Sequence, residues 1–137
     1  MYPASPSLAK DDDDNISKLG SFKRTDTGPM KRIPQGGTYA ENLKKNVLSK
    51  IKLPDGFKIE LFAIVPDARH MAVGPSTNML FVGTRKTSVY AVTDRNSDGV
   101  ADEVKSFAPG LNFKVPNGVC WTKDGFLSVA EHNRVLN

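Results

Sequence analysis

From Pro54 to the last residue, apolar and polar side chains alternate with a period of two, in short runs separated by Gly, Pro, Asp and Asn. Alternation of this kind marks half-buried strands, and the intervening residues are turn formers. The pattern predicts strands near 57–64 (FKIELFAI), 69–73 (RHMAV), 79–83 (MLFVG), 88–93 (SVYAVT), 102–107 (DEVKSF), 117–121 (NGVCW) and 126–130 (FLSVA). Helical periodicity appears once, before these runs. In TYAENLKKNVLSKI (38–51), Thr38 and Glu41 have capping-box spacing, and Leu43, Val47, Leu48 and Ile51 form an apolar stripe. Residues 1–37 are rich in Pro, Ser, Gly, Asp and Lys and show almost no periodicity. They are expected to be a flexible or loosely docked arm, followed by the short helix and linker at 38–53 and a β-domain at 54–137.

Successive strands joined by short turns imply an antiparallel all-β architecture: a sandwich, a barrel or a propeller. An internal repeat chooses among them. Residues 68–84 (ARHMAVGPSTNMLFVGT) align with 115–131 (VPNGVCWTKDGFLSVAE), placing Leu80 on Leu127 and Val82 on Val129; the shift is 115 − 68 = 47 residues. A repeat of about 40–50 residues with about four strands per unit is the signature of a β-propeller blade. A ring needs about four to eight blades. The expectation is therefore the first one to two blades of a larger propeller, with an open edge that leaves the isolated chain marginally stable and prone to associate.

Composition narrows the function classes. With 39% hydrophobic and 25% charged residues in 137, the chain has the make-up of one globular domain. The net charge of +4 comes entirely from residues 1–53, which hold 10 Lys/Arg against 6 Asp/Glu; residues 54–137 hold 9 of each. An electroneutral β-domain offers no basic footprint for nucleic acid. No apolar run approaches the length of a membrane span, and the first residues contain no signal-peptide core. The single cysteine, Cys120, excludes an internal disulfide or a CxxC site, and its setting in VCW predicts a buried structural thiol.

The richest chemistry lies in VTDRNSDGVADEV (92–104). Asp94, Asn96, Asp98 and Asp102 place oxygen-bearing side chains around Gly99, and the carbonyl of Val100 adds another oxygen. Hard Ca²⁺ takes about six to eight such oxygens. The loop is not an EF-hand, because its twelfth position is Lys105 and its flanks are strands. NSDG is equally ordinary hairpin chemistry, with Gly at positive φ and Asp and Asn bonding their own backbone. A turn with a structural Ca²⁺ and a turn without one both remain open.

The ordered series LPDGFKIELFA, ARHMAVG, LFVGTR, VYAVTDRNSDGVADEV and PNGV…KDGFLSVAE, spread over about residues 51–136, resembles the opening blades of the glucose/sorbosone dehydrogenase family. The resemblance implies a six-bladed propeller that oxidises a sugar or sugar aldehyde by hydride transfer to pyrroloquinoline quinone (PQQ). It also implies Ca²⁺ holding the quinone, export to the periplasm or cell exterior, and a catalytic base, with the main quinone and Ca²⁺ ligands, on later blades. The electron acceptor is left unspecified. Within these residues Arg69 and His70 enter the strand nearest the expected channel, where they could grip a quinone carboxylate or substrate hydroxyl, or simply bond backbone at a strand edge. Asn117 occupies the place of His70 in the second repeat (70 + 47 = 117). Glu131, His132, Asn133 and Arg134 read as a charged turn, Arg85 and Lys86 as a solvated one, and Trp121 with the phenylalanines as packing between blades. PNGV followed by DGFLSVAE also resembles gluconolactonase-like propellers, which hydrolyse lactones at a divalent ion. A non-catalytic binding propeller is the third reading, since one fold hosts many functions.

Overall fold

The structure is a computed structural model that describes residues 27–137. It is built mainly from two antiparallel sheets. The first is a four-stranded meander of β1 (Ala68–Val73), β2 (Met79–Thr84), β3 (Val89–Thr93) and β4 (Glu103–Phe107), hydrogen-bonded in chain order. The second contains β5 (Gly118–Trp121), β6 (Leu127–Ala130) and β7 (Val135–Leu136), again in chain order. One α-helix, α1 (Thr38–Asn46), and two short 3₁₀ turns at Leu48–Lys50 and Pro109–Leu111 complete the elements. The described residues are thus all-β apart from one short α-helix and two 3₁₀ turns. Among the described residues no helix is long and apolar enough to cross a membrane.

Alternation along the strands sorts the side chains onto two faces of the first sheet. Leu80 and Val82 of β2, Tyr90 and Val92 of β3 and Val104 of β4 fall on one face. There they pack with Ala101, and with Ile33, Phe62, Ala63 and Val65 from the segments that cross it. Phe81, Val89 and Phe107 fall on the other face, toward the second sheet. Val89, with no exposed surface, joins Ala108, Phe113, Val119 and Val129 in the core between the sheets. Phe81 of β2 stacks on Trp121 of β5 with ring centroids 5.7 Å apart and planes 9° from parallel. The first strands of the two meanders run side by side, β1 against β5.

The junction depends on a missing side chain. Gly83 lies opposite His70 in the β1–β2 ladder, and a Cβ on it would sit 2.4 Å from the carbonyl oxygen of Pro116 and 3.0 Å from that of Asn117. Only glycine permits that approach, which lets the Thr84 amide donate to the Pro116 carbonyl at 3.0 Å.

Three expectations need correction. Residues 57–64 form no strand: they have no ladder partner, and 57–60 are exposed. A strand needs a free edge as well as alternation, and the outer edge of β4 is taken by residues 31–33, through Ile33 N–H to Val104 O and Ser106 N–H to Lys31 O, both 2.8 Å. The capping box is also absent. Gly37 is the N-cap and makes no side-chain cap bond, so Thr38 is already the first helical residue. Of the helix only Ala40 is buried, and Val47 and Ile51 of the anticipated stripe are exposed. Finally, Cys120 is exposed, because alternation in β5 turns Val119 inward and Cys120 outward.

Candidate functional site

Two polar regions emerge, one where β1 meets β5 and one in the β3–β4 loop. At the first, the β1 register puts His70 on the face toward the second sheet, and its Nδ1 accepts the Val119 N–H at 3.4 Å. A ring nitrogen that accepts carries no proton, so in this arrangement the proton lies on Nε2, which becomes a donor directed away from the bond. Arg69, one residue earlier and exposed, has no hydrogen bond or ion pair among the described residues. Asn117 stands immediately before β5, and its side-chain carbonyl oxygen is buried without a partner. The two repeat-equivalent residues, His70 and Asn117, therefore flank one junction.

The backbone that delivers Asn117 is strained and pinned. Val115 adopts φ = 53°, a conformation that a β-branched residue rarely enters and that persists only where neighbours enforce it. Its amide donates to the Lys86 carbonyl at 2.8 Å, and the Asn117 amide returns to the Val115 carbonyl at 2.8 Å. On the other side, Glu131 Oε1 accepts the Lys114 N–H at 2.6 Å, while Oε2 accepts from Arg134 Nε. The Glu131 side chain is fully buried. Its carboxyl is held below its ordinary value first by the Arg134 hydrogen bond and then by the Lys114 amide, against the opposing effect of burial. Glu131 thus ties the β6–β7 turn to the strained segment. The sequence pattern placed Glu131 in a charged turn with His132, Asn133 and Arg134, without its burial. Its place at the end of an apolar strand, three residues before an arginine, was the available signal.

The β3–β4 loop keeps its turn character. Asp94 Oδ2 accepts the Gly99 N–H at 3.0 Å, Asp98 Oδ1 the Val100 N–H at 2.8 Å and Asp102 Oδ2 the Arg95 N–H at 2.6 Å. Asn96 Nδ2 donates to Asp98 Oδ2 at 2.9 Å, and Asn96 Oδ1 accepts the Asp98 N–H at 3.3 Å. Gly99 has φ = 85° and Ser97 φ = 58°, as the bend requires. Asp94 is only 6% exposed, and its Oδ1 has no partner. Beside the loop, Glu103, at 8% exposure, meets Arg32, Lys105 and Arg95 at 2.7, 2.8 and 3.0 Å. The Lys105 hydrogen bond, with the charges of Arg32 and Arg95, holds its carboxyl below the usual range although burial opposes this.

Among the described residues, no three His, Cys, Asp or Glu side chains are grouped to hold a metal. The β1–β5 junction therefore offers an imidazole and an amide oxygen, with the exposed Arg69 one residue before His70 on β1. No protein-family model, curated protein or solved structure matches the chain.

Proposed function

We propose that β1–β4 and β5–β7 are adjacent blades of a β-propeller, and that the complete ring is a PQQ-dependent dehydrogenase of sugars or sugar aldehydes. The observation that carries this reading is the convergence of His70 and Asn117, 47 residues apart, at the junction of two meanders that meet along their first strands. In a propeller those first strands line the central channel, where ligands bind, so repeat-equivalent polar residues there belong to a ligand rim. Bound quinone would accept hydride from the substrate. Arg69 suits a carboxylate of such a cofactor, through a bidentate bond. The described residues do not supply the rest of a quinone site: they lack grouped ligands for its ion. The reading assigns those parts to other blades.

The test is to purify the natural protein that carries this sequence, add PQQ and Ca²⁺, and follow dye reduction with aldoses and sugar aldehydes. Quinone-dependent turnover, with quinone binding weakened about tenfold or more by Arg69→Ala, is expected for the loss of a charge-assisted contact. Turnover only of lactones, or saturable sugar binding without any turnover, would replace the dehydrogenase with a hydrolase or a binding propeller.

A further inference from the structure

We infer that Glu131 is a positioning residue for the ligand rim: it fixes the place of Asn117 without touching a ligand itself. The inference rests on the rim proposed at the β1–β5 junction. Asn117 arrives there at the end of the segment 114–117, in which every backbone N–H has a partner. The Lys114 N–H donates to Glu131 Oε1 at 2.6 Å, and the Lys114 carbonyl accepts the His132 N–H at 3.4 Å. The Val115 N–H goes to the Lys86 carbonyl and the Asn117 N–H to the Val115 carbonyl, both at 2.8 Å, while the Pro116 carbonyl accepts the Thr84 N–H at 3.0 Å. Thr84 and Lys86 thus hold the segment from the first sheet, and the β6–β7 turn holds it from the second.

Among these anchors only Glu131 acts through a side chain, and it is built for the task. The side chain is fully buried, Arg134 Nε occupies its second oxygen, and its own N–H donates to the Arg134 carbonyl at 2.8 Å. The carboxylate therefore cannot swing away, and a charge-assisted bond out of water is a strong one. A residue that served the β6–β7 turn alone would need only Arg134. Here the other oxygen reaches across 17 residues of sequence to a peptide group three residues before Asn117. Two costs are held in place by that grip. Val115 stays at φ = 53°, and the side-chain oxygen of Asn117 stays buried without a partner. Both would relax if the backbone behind them could yield, and strain of this kind persists only where the surroundings enforce it.

The experiment uses the natural protein that carries this sequence, with PQQ as the probe. Glu131→Ala is expected to raise the Kd for PQQ about tenfold, whereas Glu131→Gln, which keeps an acceptor oxygen of the same reach for Lys114, raises it less than about threefold. Because Glu131 acts through Asn117, the same Glu131→Ala change made on Asn117→Ala alters Kd by less than about twofold. Val92→Ala is the control: it opens the core on the far face of the first sheet, lowers the melting temperature, and leaves Kd unchanged. Equal effects of Glu131→Ala with and without Asn117, or a loss of affinity matched by Val92→Ala, overturn the inference. If the parent itself binds no PQQ, the dehydrogenase reading fails, and the Asn117 side-chain amide resonances decide the inference separately. They must shift in Glu131→Ala, recover in Glu131→Gln and stay in place in Val92→Ala; unshifted resonances in Glu131→Ala overturn it.

Discussion

Replacing Gly83 with alanine probes the closest contact between the two sheets. The added methyl would stand 2.4 Å from Pro116 O, where an ordinary carbon–oxygen contact is about 3.4 Å. One strand must therefore retreat by about 1 Å, and the obstacle is backbone, which cannot swing aside like a flexible side chain. Overpacking of this kind costs about 1–3 kcal/mol. The retreat also stretches the 3.0 Å Thr84–Pro116 hydrogen bond, worth about 1 kcal/mol. Against this, alanine gains up to about 1 kcal/mol by restricting the unfolded chain. The net loss is about 1–3 kcal/mol, a drop of roughly 4–12 °C in melting temperature for a domain of this size. Urea unfolding followed by Trp121 fluorescence reads it directly, because the indole lies on Phe81 at the same junction. Gly36→Ala is the control: it meets no atom within 4 Å and should cost nothing. Equal midpoints for Gly83→Ala and the parent, with the strands intact by circular dichroism, would refute the approach of β2 to the segment before β5.

Three further outcomes follow from the same packing. Phe113→Ala empties the core between the sheets, where Phe113 is 2% exposed; a loss of about 3–5 kcal/mol should abolish a cooperative melt near room temperature. The carboxyls of Glu103 and Glu131 lie below their ordinary values in the folded chain. Their contribution is therefore fully present above the unfolded carboxylate range, about pH 4–5, and is lost as pH falls through the folded values. Glu131→Gln should flatten the acid limb of a stability–pH profile between about pH 5 and 2; an unchanged slope would remove Glu131 from its role in holding Lys114. Cys120, being exposed, should react with a thiol reagent in the native chain as fast as in urea, whereas strong protection would restore the buried thiol.

Much of the β-domain was legible because alternation and turn residues are local. Every strand expected between 69 and 130 is present within a residue or so of its predicted ends. Residues 57–64 show the limit: alternation describes one segment, but a ladder needs two, and the edge at β4 was already occupied by residues 31–33. The helix start failed for a related reason, since Gly37 in front of Thr38 took the cap. At the candidate site, His70 and Asn117 could be matched by the repeat. Glu131 could not, because its burial arises from Lys114 and Arg134, 17 and 3 residues away, and from a strained Val115 that no propensity predicts. Cys120 was misjudged by its apolar neighbours although the period of two in β5 pointed outward.

The proposed function depends on the two sheets meeting along β1 and β5. The most direct test is a nuclear Overhauser experiment on the isotopically labelled chain, reading cross-peaks between the Phe81 ring and the Trp121 indole and between the His70 ring and the Val119 amide. The account predicts both, from rings 5.7 Å apart and a bond of 3.4 Å. Loss of both, with the β1–β2 and β5–β6 ladders still visible, would mean that the meanders fold without meeting and that His70 and Asn117 share no site.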